Sequence, residues 1–247
     1  MAQIDKPSTG NILLAALSDD DRALLEPHFE RVQLDRQQVL VVPHQPINDV
    51  YFVTGGIASI TANSENGRTE VGIFGQDGMS ATALILGTDR SPYETFIQVG
   101  PGDALRIDAD DFMAAVEGSS TLRGTMLRYV QTLLIQTGQS TVANARYQIE
   151  ARLARWLLMC HDRVDGDEIA LTHEFMGIMI GAQRSGVTVA LHILEGTGMI
   201  RSKRGRVIIR DREKLEDLAG DSYGPAEAEY QRLIGPLGKS TADREQI

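Results

Sequence analysis

The chain has a single cysteine, Cys160, in 247 residues. One thiol cannot close an internal disulfide, and alone it cannot hold zinc or an iron–sulfur cluster, each of which needs several ligands together. Nor is there an apolar run near the roughly 18 residues a membrane span requires. The start, MAQIDKPSTGNILLAALSDDD, lacks the basic head, continuous apolar stretch and small-residue cleavage site of a secretory signal, so a cytoplasmic protein with no membrane partner is expected. Excess positive charge is also missing, since the formal net charge is -10. That total is uneven: residues 1–140 carry 9 Lys and Arg against 18 Asp and Glu, whereas residues 141–218 carry 12 against 11. Within the second block Arg201, Lys203, Arg204, Arg206, Arg210 and Arg212 crowd together, and a local basic strip can meet phosphates on a protein that is acidic overall. What remains is an ordinary globular composition, 42% apolar and 23% charged, at a length that favours two modest domains over one.

From residue 38 to 108 the chain shows short β-type runs, VLVV (39–42), VYFV (50–53), IASI (57–60), VGIF (71–74) and YETFIQV (93–99). Turn-forming stretches such as PHQPIND, TGG and GQDG separate them, a spacing that predicts a rolled antiparallel sheet. A short helix follows over 110–117. From Ser119 the residues Leu122, Met126, Tyr129 and Leu133 recur at helical spacing beside a flanking row of Leu127, Val130 and Leu134. A long helix with two apolar rows can lie on the roll with one and meet a second copy with the other. Leu122, Met126, Tyr129 and Leu133 are the expected dimer seam. Ile149, Leu153, Trp156, Leu157 and Cys160 then form another amphipathic helix, with the thiol in its core face.

THEFMGIMIGAQRSGVTVALHIL (172–194) has helix-turn-helix spacing. Thr172 is a suitable N-cap, Phe175, Ile178 and Met179 share one face, Gly177 is small at the crossing, and Gly181 stands where the turn needs positive φ. Val187, Ala190, Leu191 and Leu194 would pack the second helix back on the first. Ser185, Val189 and His192 then point outward, flanked by Gln183, Arg184 and Thr188, toward a major groove. IRSKRGRVIIR (200–210) reads as a hairpin whose turn residues Lys203 and Arg204 would lie beside phosphates.

LTHEFMGIMIGAQRSGVTVALHILEGTGMIRSKRGRVIIRDREKLEDLA resembles the winged helix of the Crp/Fnr transcription regulators, and VYFVTGGIASI with VGIFGQDGMSATALILG resembles their cyclic-nucleotide-binding-type β-roll. The resemblance implies an α+β fold: an N-terminal β-roll (double-stranded β-helix, residues 1–118), a dimerisation helix (119–143) and a winged helix-turn-helix (144–220), with 221–247 as a tail. It also implies a homodimer on palindromic double-stranded DNA, with RNA polymerase as a partner and Arg184 as the recognition-helix arginine. Ser185 and Val189 replace the acidic residue and second arginine frequent in the family, so the target sequence of other members does not transfer. Nucleotide-binding members hold ribose with a Gly-Glu pair and the cyclic phosphate with Arg-Ser or Arg-Thr. Here Ala81 and Thr82 occupy the first place, and Arg90 and Ser91 lie near the second but about two positions early. Cyclic AMP is therefore not the expected effector. No cofactor is evident, although haem ligation by His28 or His44 stays open, and the effector is unassigned. The competing reading is a metal-dependent cupin-like enzyme with an oligomerising C-terminal part. It lacks the H-x-H pair such enzymes use, since the β-type stretch from 38 to 108 holds only His44, and no catalytic constellation can be placed.

Overall fold

The computed structural model describes residues 9–65 and 67–238. Two short helices lead in: α1 (Ile12–Ala15), capped by Asn11, whose Oδ1 accepts from Leu14 N at 3.0 Å, and α2 (Asp19–Leu25), capped by Ser18. Next comes the sheet, with β1 (Glu30–Leu34), β2 (Val39–Val41), β3 (Asp49–Ser64), β4 (Gly67–Phe74), the one-turn helix α3 (Thr82–Ile85), and β5 (Glu94–Asp108). All pairings are antiparallel, in the order β1-β5-β3-β4 with β2 also on β5. β3 absorbs two expected strands because the chain bends through bulges at 53–58 without leaving the ladder. Gly56 (φ +84) and Gly102 make that bend possible: a Cβ on Gly56 would sit 2.6 Å from the Val99 carbonyl oxygen, and one on Gly102 2.4 Å from that of Gly55.

α4 (Ala109–Gly118) and the 27-residue α5 (Ser120–Arg146) follow. α5 carries the first correction. Leu122, Met126 and Tyr129 are buried in the roll's own core with Phe52, Met79 and Phe112, and Leu133 packs beside them, so these four cannot be the exposed seam. The Tyr129 hydroxyl decides this orientation, because it accepts from Met79 N and donates to Met79 O, both at 3.0 Å. Gly78 leaves the room, since a Cβ there would overlap the phenol. Gln136 and Thr137 extend the same contact by bonding Ile73 N and Val71 O at 2.8 Å. The row left outside is Leu127 and Leu134, 45% and 61% exposed, with Val142 beyond them.

The second domain comprises α6 (Ile149–His161), β6 (Glu168–Ile169), α7 (His173–Met179), α8 (Arg184–Gly196), β7 (Ile200–Lys203), β8 (Arg206–Ile209) and α9 (Arg212–Ala219). Its core, around Leu153, Trp156, Leu157 and Leu194, also takes in Ile57, Ile73 and Val99 from the roll, so the apolar interior is continuous across the two domains. Cys160 lies fully buried in it, and burial pushes its thiol well above the usual range, as suits a structural thiol.

Residues from 221 onward, expected as a tail, form a helix instead. α10 (Pro225–Leu233) lies on α5 and returns the chain from the winged domain to the roll, where buried Tyr230 donates to Asp77 O at 2.6 Å. Asp77 in turn takes a bidentate ion pair from buried Arg163, just past α6, at 3.0 and 2.6 Å. The part of the tail beyond 238 lies outside the described residues.

Candidate nucleic-acid interface and sensor cavity

The helix-turn-helix is built as its spacing demands. Thr172 caps α7 by accepting from Phe175 N at 3.3 Å. A Cβ on Gly177 would stand 2.8 Å from the Ala182 carbonyl oxygen, so only glycine lets the turn close against α7. Gly181 adopts φ +58, the left-handed region the turn requires. Val187, Ala190, Leu191 and Leu194 are buried and fix α8 on α7. Opposite them Gln183, Arg184, Ser185, Val189 (56% exposed) and His192 face solvent, and half-buried Thr188 returns its hydroxyl to Arg184 O at 3.0 Å. Ile193, 44% exposed, adds an apolar residue to that side.

β7 and β8 form the wing, paired from Ile200–Ile209 to Lys203–Arg206, with Gly205 at φ +76 in the turn. Lys203 and Arg204 stand exposed at its tip. Two members of the basic strip are otherwise engaged. Arg206 pairs with Glu168 at 2.9 Å, and Arg212 is buried against Asp162 (2.8 Å) and Glu216 (2.6 Å), so it belongs to the domain's interior and not to a phosphate-facing surface. Arg152 is a residue that pattern reading missed. From α6 it donates to the Ile180 carbonyl and, at 3.3 Å, to that of Gly181, while its Nε reaches Asn144 Oδ1 at 3.1 Å. The turn is thereby tied to the end of α5. The only hint in the sequence was an arginine one turn into an amphipathic helix.

The structure brings Ala81, Thr82 and Ser91 together on a cavity of about 190 Å³ between the roll and α5, closed on the helix side by Val130, Leu133, Leu134 and Thr137. Ala81 holds φ +65, unusual for a residue with a side chain. Arg90 is not among the lining residues; its side chain is more than half exposed and sits 3.5 Å from Asp89. His28 pairs with Asp111 at 2.9 Å on the surface, and His44 is exposed in a turn. Among the described residues no three His, Cys, Asp or Glu side chains gather as a metal site would need, and no helix is long and apolar enough to cross a membrane.

A carboxylate sits where the two domains meet. Glu70 on β4 accepts from Ser59 Oγ at 3.0 Å and from the Trp156 indole N–H of α6 at 3.0 Å. Burial pushes its pKa up to about 8, although those two hydrogen bonds and the charges of Arg155 and Arg163 pull the other way. Ser59 also contacts the Gln98 amide and lies 3.8 Å from Met179 Sδ on α7.

Comparison with known proteins agrees with this geometry. Residues 151–218 match the Crp-like helix-turn-helix domain. No curated protein sequence matches the chain. Solved structures of the same fold include a Crp/Fnr-family regulator from Eubacterium rectale, 17% identical over 84% of this chain and 97% of that one, with a TM-score of 0.65. FixK2 from Bradyrhizobium japonicum is similar at 15% identity (78% and 98% coverage, TM-score 0.66). So is the c-di-GMP-responsive global regulator CLP from Xanthomonas campestris, at 14% identity (78% and 99%, TM-score 0.63). Residues 151–218 are thus a Crp-like helix-turn-helix domain, carried on a chain whose fold is that of these structures.

Proposed function

We propose that this protein is a cytoplasmic, non-catalytic transcription regulator that binds a palindromic DNA site as a homodimer. The observation that carries the reading is the division of α8: one face is fully spent on packing, and the other offers Arg184, Ser185, Val189 and His192 to solvent beside the cations of the wing. Such a helix fits a major groove, with Arg184 suited to a guanine edge or phosphate and Val189 to a thymine methyl, while Lys203 and Arg204 hold phosphates without reading sequence. Two-fold pairing is supported by the unpartnered Leu127 and Leu134 row on α5, since half-sites one helical turn apart need two recognition helices. RNA polymerase is the partner that the Crp/Fnr resemblance suggests. Within this reading the roll is a sensor that does not answer to cyclic AMP, because its cavity is lined by no arginine for the phosphate and no carboxylate for the ribose.

Selection of bound sequences from a random duplex pool at controlled salt tests the proposal. Arg184→Ala should cost about 1–3 kcal/mol on the selected site if the side chain reads a base. Lys203→Ala or Arg204→Ala should weaken all sequences alike and flatten the dependence on salt. Equal affinity of the native protein and the triple alanine variant would overturn it.

A further inference from the structure

From the lining of the cavity between the roll and α5 we infer that its ligand is an uncharged, single-ring molecule with one hydrogen-bonding group, not a nucleotide or another anion. This deepens the reading of the roll as a sensor and rests on it. The walls are apolar, with Val41, Ile47, Ile60, Phe74, Met79 and Val130 prominent. Every polar side chain in the lining is a hydroxyl, and none is charged. Moving an ionised phosphate or carboxylate into such surroundings without a cation is strongly unfavourable, whereas a neutral ring loses only hydration it gains by leaving.

Size limits the ligand further. A dry protein cavity of about 150 Å³ accommodates benzene, so about 190 Å³ here accommodates a ring with one or two small substituents. The hydroxyls restrict its polar group. Ser80 Oγ already accepts from Tyr51 N at 3.0 Å, Ser91 Oγ from Tyr93 N at 3.0 Å, and Thr137 Oγ1 donates to Val71 O at 2.8 Å. Ser80 and Ser91 keep their hydroxyl hydrogens, so with Thr82, Tyr93 and Thr95 they can answer a hydroxyl or carbonyl on the ligand. Beside the cavity Leu86 and Tyr93 are exposed large apolar residues outside the α5 row, an arrangement that suits the approach of an apolar molecule.

The test is calorimetry on the full chain without DNA, using p-cresol as the neutral ring and benzoate and cyclic AMP as anions. Saturable p-cresol binding at one site per subunit is expected, at least tenfold tighter than either anion. Thr82→Trp, at a half-buried lining position outside the sheet, should abolish it while leaving the unfolding temperature of the ligand-free protein unchanged. A second reading uses the native chain alone: p-cresol should raise its unfolding temperature and benzoate should not. Benzoate or cyclic AMP binding as tightly as p-cresol, absence of p-cresol binding, or undiminished binding to a folded Thr82→Trp protein would each overturn the inference. DNA affinity is measured separately, so a chain that binds p-cresol but no selected duplex would refute the regulator reading and leave the ligand class standing.

Discussion

Glu70 should make the joint between the two domains sensitive to pH. Its carboxyl lies between Ser59 of the roll and Trp156 of the winged domain, and burial raises its pKa from 4.5 to about 8. In the folded protein it therefore keeps its proton near neutrality, whereas in the unfolded chain it ionises above 4.5. Because the folded state holds the extra proton, stability falls as pH rises through that window, by up to about 1.4 kcal/mol per pH unit, and levels off above 8. Between pH 6 and pH 8 the loss attributable to this one group is about 2 kcal/mol, a sizeable part of a typical domain stability of about 5–15 kcal/mol. The neighbouring charges do not titrate in this range: Arg155 donates to Ser222 O at 2.8 Å, and Arg163 is paired with Asp77.

The assay is favoured by composition. Trp156 is the only tryptophan, and its indole N–H is bonded to the carboxyl in question, so fluorescence-monitored urea unfolding reads the joint directly. Glu70→Gln keeps the acceptor for Trp156 and removes the titration. The variant should gain about 2 kcal/mol relative to the native protein on going from pH 6 to pH 8, and the native Trp156 signal should shift with a midpoint near 8. Parallel pH profiles for the two proteins would refute the reasoning, because the dependence would then belong to other groups.

The corrected seam predicts different fates for two substitutions on one helix: Leu134→Glu should yield a folded monomer with weakened operator binding, and Met126→Glu should unfold the roll. Sedimentation with circular dichroism separates the outcomes, and a folded Met126→Glu monomer would restore the rejected row. Tyr230→Phe should cost about 1–2 kcal/mol by leaving the Asp77 carbonyl without its donor, and Tyr230→Ala about 3–5 kcal/mol by opening a cavity. Urea unfolding that shows neither loss would mean the segment behaves as a tail. Gly177→Ala should disrupt the helix-turn-helix against the Ala182 carbonyl and reduce DNA affinity at least tenfold, checked by titrating labelled duplex.

How much of this was legible in the sequence varies with the physics of each element. The helix-turn-helix was fully legible because its constraints are local: Thr172, Gly177 and Gly181 answer backbone demands within a few residues. α1 and α2 were missed although their caps, Asn11 and Ser18, are ordinary N-terminal signals, because each helix is too short to show a period. β1 was missed for a related reason: of ERVQL only Leu34 is buried, so the strand has almost no apolar alternation to find. α10 offered just Tyr230, Leu233 and Ile234, and its stability comes from docking on α5, which no local propensity records.

The misplaced seam has a deeper cause. The buried side of α5 is chemically mixed, with Thr125, Thr132 and Gln136 buried as well as Leu122, Met126 and Tyr129, while the exposed face carries leucines. Hydrophobic periodicity assumes that polar side chains face water, and that holds only where the partner surface is apolar. Here the partner includes the edge of a bent sheet with unpaired backbone groups at Ile73 N, Val71 O and Met79, and those groups need donors and acceptors from the helix. Gln136, Thr137 and Tyr129 meet that need, so the inward row must contain polar residues and the outward row is free to be apolar. The same inward row borders the cavity through Leu133 and Thr137, and about two turns of helix beyond Thr137 Asn144 holds Arg152, which binds the carbonyls of the helix-turn-helix turn. Movement of α5 relative to the roll would break the Thr137–Val71 bond at the cavity wall, and movement of α5 relative to α6 would break the Asn144–Arg152 bond beside the turn that leads into α8.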